Sequence, residues 1–141
     1  MIPTTITLEQ IEKLCKNNLL EHLDIKIDKF GENFIEATMP VDHRTIQPAG
    51  LLHGGATAAL MESLGSIGSA LAVHHLNQNI VGIEINVNHL RGVKSGRVRG
   101  RAEIIHAGKT THVWQVNVTD DQEKLIATGR LTVLIIEKRD H

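Results

Sequence analysis

The sequence predicts an α+β domain in which an antiparallel sheet wraps around one long central helix. Apolar and polar residues alternate at the period of half-buried strands on both sides of a central segment, residues 47–70. That segment is apolar, rich in small residues and carries one charged side chain, Glu62. Both observations are typical of a helix buried against a sheet. A chain of 141 residues has the usual size of one domain, so residues 1–141 are expected to form a single domain.

The first elements are a short helix and a hairpin. The stretch Thr7–Gln10 has the pattern of a capping box. The residues that then recur at helical spacing are Leu8, Ile11 and Leu14. The period changes to two in residues 25–39, and a turn that begins at Gly31 divides this run. We therefore expect a short N-terminal helix followed by a β-hairpin that ends at Pro40.

Four alternating runs follow the central segment. The first is expected to direct five residues to one face: Val81, Ile83, Ile85, Val87 and His89. The other three have in-phase apolar residues over 98–104, 114–118 and 125–135. Turn signals near Gly96, Gly108 and Asp120 separate these three runs, which are expected to form an antiparallel meander.

Composition narrows the classes of function. The net charge is -1 and aromatic residues make up 2%, which gives a nucleic-acid partner neither electrostatic nor stacking support. Cys15 is the single cysteine, and the N-terminus lacks a signal-peptide pattern, so a cytoplasmic location is expected. The central segment looks too short and too interrupted to span a membrane. The nine histidines of the chain follow no metal-binding spacing, so no metal and no other cofactor is expected.

The central helix is predicted to have two different faces. The stripe that should pack on the sheet comprises Leu60, Leu64, Ile67 and Leu71. The face of small side chains around the one acid comprises Ala58, Glu62, Ser66 and Ser69. Gly65 and Gly68 each cost roughly 1 kcal/mol relative to Ala in a helix interior, so close packing or a ligand should compensate for them.

Two groups on this helix could take part in catalysis. Gly54 and Gly55 follow His53 at the helix start, where first-turn N–H groups lack intrahelical partners and suit a developing oxyanion. A tight turn against the sheet explains the two glycines equally well. A desolvated carboxylate at Glu62 without a neutralising partner would suit a general base, and the alternative is a structural pair with a buried Arg or a backbone donor. Ser66, one turn later, could bind Glu62 or a substrate.

The spacing of these two groups predicts an oligomer. Gly54 and Glu62 are eight residues apart, which separates their backbones by roughly 12 Å along a helix. One substrate carbonyl cannot easily reach both. If both act on one carbonyl, the base and the oxyanion donor must come from different subunits, as a two-fold dimer allows. We therefore expect a homodimer with composite sites. An assembly of two such dimers is a separate expectation, which the spacing does not give.

Other polar residues are candidates for binding. Gln47 precedes Pro48 in a loop that could bring its amide beside the helix start. His53 and His89 could each hydrogen-bond a ligand, although a lone inward His is more often part of the core. The basic ladder comprises Arg97, Arg99 and Arg101. This ladder, with Arg91 and Lys94 before it, is either a solvated strand face or a clamp for the phosphates of coenzyme A.

The motif at the helix start resembles a known family. Gln47-Pro48-Ala49-Gly50, then His53-Gly54-Gly55, with Glu62 and Ser66 on the next helix, resembles the hotdog-fold acyl-CoA thioesterases. The resemblance covers nearly the whole chain and includes the segment 88–91. It is closest to the aromatic branch, which includes 1,4-dihydroxy-2-naphthoyl-CoA thioesterases of menaquinone synthesis and proofreading thioesterases on aryl carrier proteins. Many members have an aromatic residue in place of Ala49.

The resemblance implies a hotdog fold and hydrolysis of an acyl-CoA thioester without a cofactor. It implies Glu62 as nucleophile or general base and the Gly54 N–H as oxyanion donor, with Gln47 and His53 positioning the thioester or water. The residues that it implies for binding substrate or the coenzyme A arm are Gly55, Ser66, Gly82, His89 and Arg91. The substrate is expected to be an acyl-CoA, or an acyl group on a carrier protein.

Two other functions fit the same fold. A hotdog hydratase would transfer protons on an acyl thioester, but it requires a His paired with an Asp or Glu, and no such pair is evident near the helix. Hydration of an enoyl-CoA would identify it. A non-catalytic acyl-CoA sensor would bind thioesters without turnover, and it usually requires an output domain for which this chain has no room.

Overall fold

The computed structural model describes residues 1–139, which form three helices and six strands. The helices are α1 (Leu8–Leu14), α2 (Leu19–His22) and α3 (Gly54–Val73), which a 3-10 turn at His74–Leu76 extends. The strands are β1 (Lys26–Gly31), β2 (Phe34–Pro40), β3 (Gln78–His89), β4 (Arg97–Ala107), β5 (Thr111–Thr119) and β6 (Leu125–Glu137). The predicted N-terminal helix, hairpin, long helix and later strands are all confirmed.

The six strands form one antiparallel sheet in the order β1-β2-β4-β5-β6-β3. β4, β5 and β6 are neighbours in both chain and sheet, which confirms the predicted meander. α3 contacts every strand from β2 to β6, so the sheet curves around it. The predicted α+β arrangement, with an antiparallel sheet around one long helix, is therefore confirmed. β3 pairs with β6 alone and forms an edge of the sheet in residues 1–139.

The N-terminal region contains one predicted helix and one that was not predicted. In α1 the Thr7 hydroxyl accepts a hydrogen bond from the Gln10 N–H at 3.2 Å, and the Gln10 side chain accepts one from the Thr7 N–H at 2.9 Å. The predicted capping box is confirmed. The helix that was not predicted is α2. It has four residues, which are too few for a periodic pattern. Its one signal is Asn18, whose side chain accepts from the Leu20 N–H at 3.1 Å.

The predicted common face of β3 is wrong in the first half of the strand. Ile83 is an extra residue relative to β6, a β-bulge at which the alternation changes phase. Ile85 and Val87 lie beyond the bulge and pack against the core, as predicted. Val81 is 42% exposed and Ile83 56% exposed, so both face away from it. His89 is exposed as well.

Close packing explains the glycines in α3. The indole of Trp114 is fully buried and lies directly against the helix. A methyl group on Gly68 would come within 2.6 Å of the indole Cη2. A methyl group on Gly65 would lie 2.6 Å from Leu131 and 3.2 Å from the indole Cγ. The absence of side chains at these two positions therefore sets how closely the helix approaches the sheet.

The predicted faces of α3 need one correction. The stripe against the sheet is confirmed for Leu60, Leu64 and Leu71, whereas Ile67 is only partly buried at its margin. Ser69 lies two turns after Glu62 on the same side of the helix, but it is fully buried in the core, whereas Glu62 is exposed. The Ser69 hydroxyl accepts a hydrogen bond from the Trp114 indole N–H at 2.8 Å and lies 3.0 Å from Nδ1 of His112. This small polar network satisfies three groups that would be costly to bury alone.

The expectation that the central helix is too short for a membrane is wrong. Together with its 3-10 extension it spans 23 residues, and an 18-residue window within it has a mean hydropathy of 1.3, enough to cross a bilayer by length and composition. The apolar face is nevertheless covered by the sheet, and Glu62 lies in the middle of the helix. It is a core helix, not a membrane span.

We expect Gly68→Ala to destabilise the fold. An alanine in a helix interior normally stabilises by up to about 1 kcal/mol relative to glycine. At this site the methyl group would collide with the buried indole of Trp114, and overpacking should lower the free energy of unfolding by about 1–3 kcal/mol. Urea denaturation measures the difference. Ala58→Gly on another face of α3 is the control for helix propensity, and stabilisation by Gly68→Ala would contradict the packing account.

We also expect stability to fall as the pH is lowered through the range where histidines titrate. Burial, with smaller contributions from the N-terminal ammonium and His106, lowers the pKa of His112 from its usual 6.5. Below pH 6.5 the unfolded state therefore binds a proton that the folded state does not, and the free energy of unfolding decreases. Denaturation at a series of pH values should show a shallower dependence for His112→Gln. His43→Gln, an exposed control, should retain the wild-type slope, and an unchanged slope in His112→Gln would refute the assignment.

Candidate active site

The loop before α3 fixes the position of the helix start. Thr45 is buried, and its hydroxyl donates a hydrogen bond to the Pro40 carbonyl at 2.7 Å. The Thr45 carbonyl accepts a hydrogen bond from the His53 N–H, also at 2.7 Å. A third bond, from the Leu52 N–H to the Val93 carbonyl, ties the loop to the segment between β3 and β4. The end of β2 and the start of α3 are therefore held together through one residue.

His53 is the N-cap of α3. Its Nδ1 accepts a hydrogen bond from the Gly55 N–H at 2.7 Å, so a neutral ring carries its proton on Nε2. A methyl group on Gly55 would lie 2.9 Å from that ring, which explains the second glycine. The structure therefore assigns one ring nitrogen of His53 to the helix and leaves Nε2–H for a ligand.

Gly54 lines a cavity of about 370 Å³. Within residues 1–139 its N–H has no hydrogen-bond acceptor. The cavity is also lined by Gln47, His89 and Arg91, three of the predicted binding residues. A methyl group on Gly54 would come within 2.9 Å of His89 Nε2, so the imidazole lies against the helix start only because position 54 is glycine. His89 is thus part of this cavity and not a buried core residue.

The Gln47 side chain is oriented by its own turn. Its amide oxygen accepts a hydrogen bond from the Ala49 N–H, and its backbone carbonyl accepts one from the Gly50 N–H at 2.9 Å. Because the oxygen is engaged, the amide NH₂ is the group left to meet a ligand. Gln47 therefore presents a hydrogen-bond donor beside the Gly54 N–H.

Glu62 lies in a second cavity, of about 330 Å³, together with Ser66. The carboxylate is exposed in the single chain, so the expected desolvation is not present there. Nor does it have the alternative structural partner: among residues 1–139 no Arg, Lys or backbone donor binds it. Gly82 of β3 lies beside it, since a methyl group there would come within 2.7 Å of the Glu62 Oε1.

The candidate residues thus form two groups at different places on the molecule. Gln47, Gly54, His89 and Arg91 share the first cavity, and His53 and Gly55 cap the adjoining helix end. Glu62 and Ser66 share the second cavity, with Gly82 next to them. Neither of these cavities contains both the Gly54 N–H and the Glu62 carboxylate.

Comparison with known proteins identifies the kind of site. The family model described as the thioesterase superfamily matches residues 49–127, which is more than half of the chain. The chain belongs to the thioesterase superfamily. A crystal structure of a thioesterase from Haemophilus influenzae superposes with a TM-score of 0.93 at 46% identity, covering 100% of this chain and 99% of that one. The hotdog fold implied by the resemblance is confirmed.

Two named relatives are similar over almost their full lengths. The 1,4-dihydroxy-2-naphthoyl-CoA hydrolase of Escherichia coli is 44% identical over 131 residues, 93% of this chain and 96% of the hydrolase. The proofreading thioesterase EntH of Cronobacter turicensis is 42% identical over 131 residues, 93% of this chain and 95% of EntH. The prediction of a thioester hydrolase is confirmed.

The basic ladder of the thioesterase is neutralised by carboxylates on β1, β2 and β4 itself and in the segment before β1. The pairs are Arg97 with Asp24, Arg99 with Asp28 and Glu36, and Arg101 with Glu36 and Glu103. The hydrogen bond from Arg99 also lowers the pKa of Asp28 from its usual value. The ladder is therefore an ion-pair network across β1, β2 and β4, not a free clamp for phosphates. Arg91 has no such carboxylate partner within residues 1–139.

Several residues that line the two cavities were not predicted from the sequence. Thr57 lies in the first cavity, one turn after the helix start. Leu19, Leu20 and Ser63 lie in the second, beside Glu62. The Asn18 N-cap followed by two leucines was the available signal for α2, but nothing in the sequence indicated that this turn would lie next to Glu62. In residues 1–139 no three His, Cys, Asp or Glu side chains are grouped as a metal site.

Proposed function

We propose that this thioesterase hydrolyses an aryl-CoA thioester, such as 1,4-dihydroxy-2-naphthoyl-CoA or a hydroxybenzoyl-CoA, to the free acid and coenzyme A. The observation that supports this proposal is that the candidate catalytic groups are divided between two cavities. One cavity has an unpaired N–H at a helix start and the other an unpaired carboxylate. A thioester needs both, and one chain holds them too far apart for a single carbonyl. In this proposal the whole chain acts as one catalytic domain.

A second copy of the chain supplies the missing half in a two-fold dimer. Along edge strand β3, Gly82 lies beside Glu62 and His89 lies beside Gly54. If two β3 strands pair antiparallel about an axis next to Ile85, Gly82 of one copy comes opposite His89 of the other. Glu62 of one copy then approaches Gly54 of the other. The same pairing would cover the unpaired hydrogen-bonding groups of the edge.

Two such dimers are proposed to associate further. Ile105 and Ile136 are large apolar side chains of the sheet that remain 53% and 39% exposed in the single chain. Apolar residues at these positions offer a contact surface for another dimer. The proposed assembly is a homotetramer, a dimer of dimers.

The helix start is proposed to activate the thioester carbonyl. The Gly54 N–H would donate to the carbonyl oxygen, and the positive end of the α3 dipole would favour the charge that develops there. The Gln47 amide and the Nε2–H of His53 are further donors that would position the thioester or water. Each of these three groups is already oriented by a contact of its own chain, so little rearrangement is required.

Glu62 is proposed to act as general base or as nucleophile. As a base, its carboxylate takes a proton from water while the water oxygen bonds to the carbonyl carbon. The tetrahedral intermediate then collapses, the C–S bond breaks and coenzyme A leaves as thiolate. As a nucleophile, the carboxylate itself attacks, coenzyme A leaves as thiolate, and water hydrolyses the resulting anhydride. The expected desolvation of Glu62 would then come from substrate and the second subunit.

The acyl group is proposed to be a hydroxylated aromatic one. The hydroxyls of Ser63 and Ser66 have no hydrogen-bond partner within residues 1–139 and lie in a cavity otherwise walled by apolar side chains and Glu62. They fit hydroxyl substituents on an apolar ring. Similarity to the naphthoyl-CoA hydrolase also supports this class, which would imply a step in menaquinone synthesis.

A second candidate substrate is an aryl group carried by a carrier protein. Similarity to a proofreading thioesterase favours it. Both substrates contain a phosphopantetheine arm. Arg91, an exposed residue that lines the first cavity, is placed to bind its phosphate. Comparing turnover of the same aryl group on coenzyme A and on a carrier protein distinguishes the two.

Gly54→Pro tests the oxyanion donor. Proline is well tolerated at the first position of a helix, and His53 before it has φ -68° and ψ 129°, a conformation suited to precede proline. Gly54→Ala is the control, since both substitutions add a Cβ beside His89, whereas proline also removes the N–H and places its ring Cδ where the amide hydrogen was. We expect free-thiol release from aryl-CoA by Gly54→Pro to be about 10²–10³ slower than by Gly54→Ala. Equal rates for the two variants would argue against this donor.

Mixed subunits test the composite site. Glu62→Ala and Gly54→Pro homodimers should each release almost no thiol from aryl-CoA. Coexpression of the two gives heterodimers in which one site has both defects and the other has neither. Random pairing should therefore restore about a quarter of wild-type activity. If base and donor act within one chain, coexpression restores nothing. Wild-type protein that binds aryl-CoA but releases no thiol would instead indicate a sensor.

A further inference from the structure

The cavity beside Glu62 is closed on one side by α2. Leu19 and Leu20 of this helical turn line it across from Ala59 and Ile67 of α3. Leu19 leaves 56% of its surface exposed, so folding of the single chain gains little from it. An apolar group placed in the cavity would cover Leu19. The two leucines are therefore placed to contact whatever part of a substrate lies next to the Glu62 carboxylate.

The start of α2 is held rigidly. Asn17 has a left-handed backbone, φ 59°, and its N–H donates to the Glu21 carboxylate at 2.7 Å. The side-chain amide of Asn18 donates to the Leu14 carbonyl at 2.7 Å, while its oxygen caps α2. A turn fixed in this way by its own side chains is a wall and not a mobile lid.

The end of α2 is held equally well. Asp24 again has a left-handed backbone, φ 53°. Arg97 of β4 binds it twice, to its carboxylate at 3.1 Å and to its carbonyl at 2.9 Å. The Leu20 carbonyl accepts a hydrogen bond from the Ile25 N–H at 2.9 Å, which joins the turn to the segment entering β1. The ion-pair network of the basic ladder thus anchors the wall of the Glu62 cavity.

We propose that Leu19 and Leu20 determine the size of the acyl group that the enzyme accepts. The proposal rests on the function proposed above, with Glu62 at the reacting carbonyl. A cavity of about 330 Å³ lies at the lower end of the range for small-molecule sites, which favours a compact, flat acyl group over a long chain. Leu14, Ala70 and Leu71 line a further apolar cavity along α3. Ile67 of the Glu62 cavity and Leu71 of this further cavity are one turn apart on α3, so we expect a shortened wall to give a longer acyl chain room in that direction.

The test is the acyl preference of wild type, Leu19→Ala and Leu19→Trp. Rates of thiol release are measured with acetyl-CoA, benzoyl-CoA, 4-hydroxybenzoyl-CoA, 2-naphthoyl-CoA, 1,4-dihydroxy-2-naphthoyl-CoA and straight-chain acyl-CoAs from butanoyl to dodecanoyl. Leu19→Trp should lower kcat/KM for 2-naphthoyl-CoA by about tenfold or more and leave acetyl-CoA within about twofold, since each buried methylene is worth roughly fourfold. Leu19→Ala should raise the ratio of dodecanoyl-CoA to benzoyl-CoA turnover by about tenfold.

Leu76→Ala is the matched control, because Leu76 is 53% exposed and lies beyond the far end of α3. Its acyl preference should equal that of wild type. An equal change for every acyl group in the Leu19 variants, or the same shift in Leu76→Ala, overturns the proposal. If wild type hydrolyses aryl-CoA, Glu62→Ala does not, and the Leu19 variants keep the wild-type preference, the acyl wall is refuted while the function stands. If wild type hydrolyses none of the panel, both are refuted.

Discussion

The contact between Trp114 and the glycines of α3 is the constraint on which the rest of the structure depends. The indole lies where side chains at Gly65 and Gly68 would be, and its N–H is satisfied by Ser69 of the same helix. Packing and hydrogen bonding thus fix both the distance and the rotation of α3 relative to the sheet. With the rotation fixed, Glu62 cannot turn into the core and remains on the open side of the helix.

A helix held in this way also determines where chemistry can occur. Its start, capped by His53 and opened by Gly54, has free backbone donors, and its middle has the one carboxylate. Roughly 12 Å of rigid helix separates them, which neither loop motion nor side-chain rotation can close. Edge strand β3 contacts both points, at Gly82 and at His89. A symmetric pairing of that edge is therefore the simplest way to unite the two halves.

Features with a regular period could be predicted from the sequence, and features that depend on pairing could not. The strands, the meander and α3 follow from alternation and from one long apolar segment. The β-bulge at Ile83 depends on the register with β6, and so it reversed the predicted face of Val81. The burial of Ser69 could not be predicted, because its partner Trp114 lies 45 residues away in the chain. The spacing of Gly54 and Glu62 was informative because both lie on one helix.

Unsatisfied polar groups locate the function of this fold better than charge does. The three arginines of β4 are the most conspicuous charges in the sequence, yet each is paired with a carboxylate, and Arg97 also anchors the turn that lines the Glu62 cavity. Within residues 1–139, no buried side-chain nitrogen or oxygen lacks a partner. Groups without partners, such as the Gly54 N–H, the Glu62 carboxylate and the Ser66 hydroxyl, lie instead in the two cavities. Because the interior satisfies its own polar groups, these accessible groups are the ones that a ligand can bind, and the proposed function is built on them.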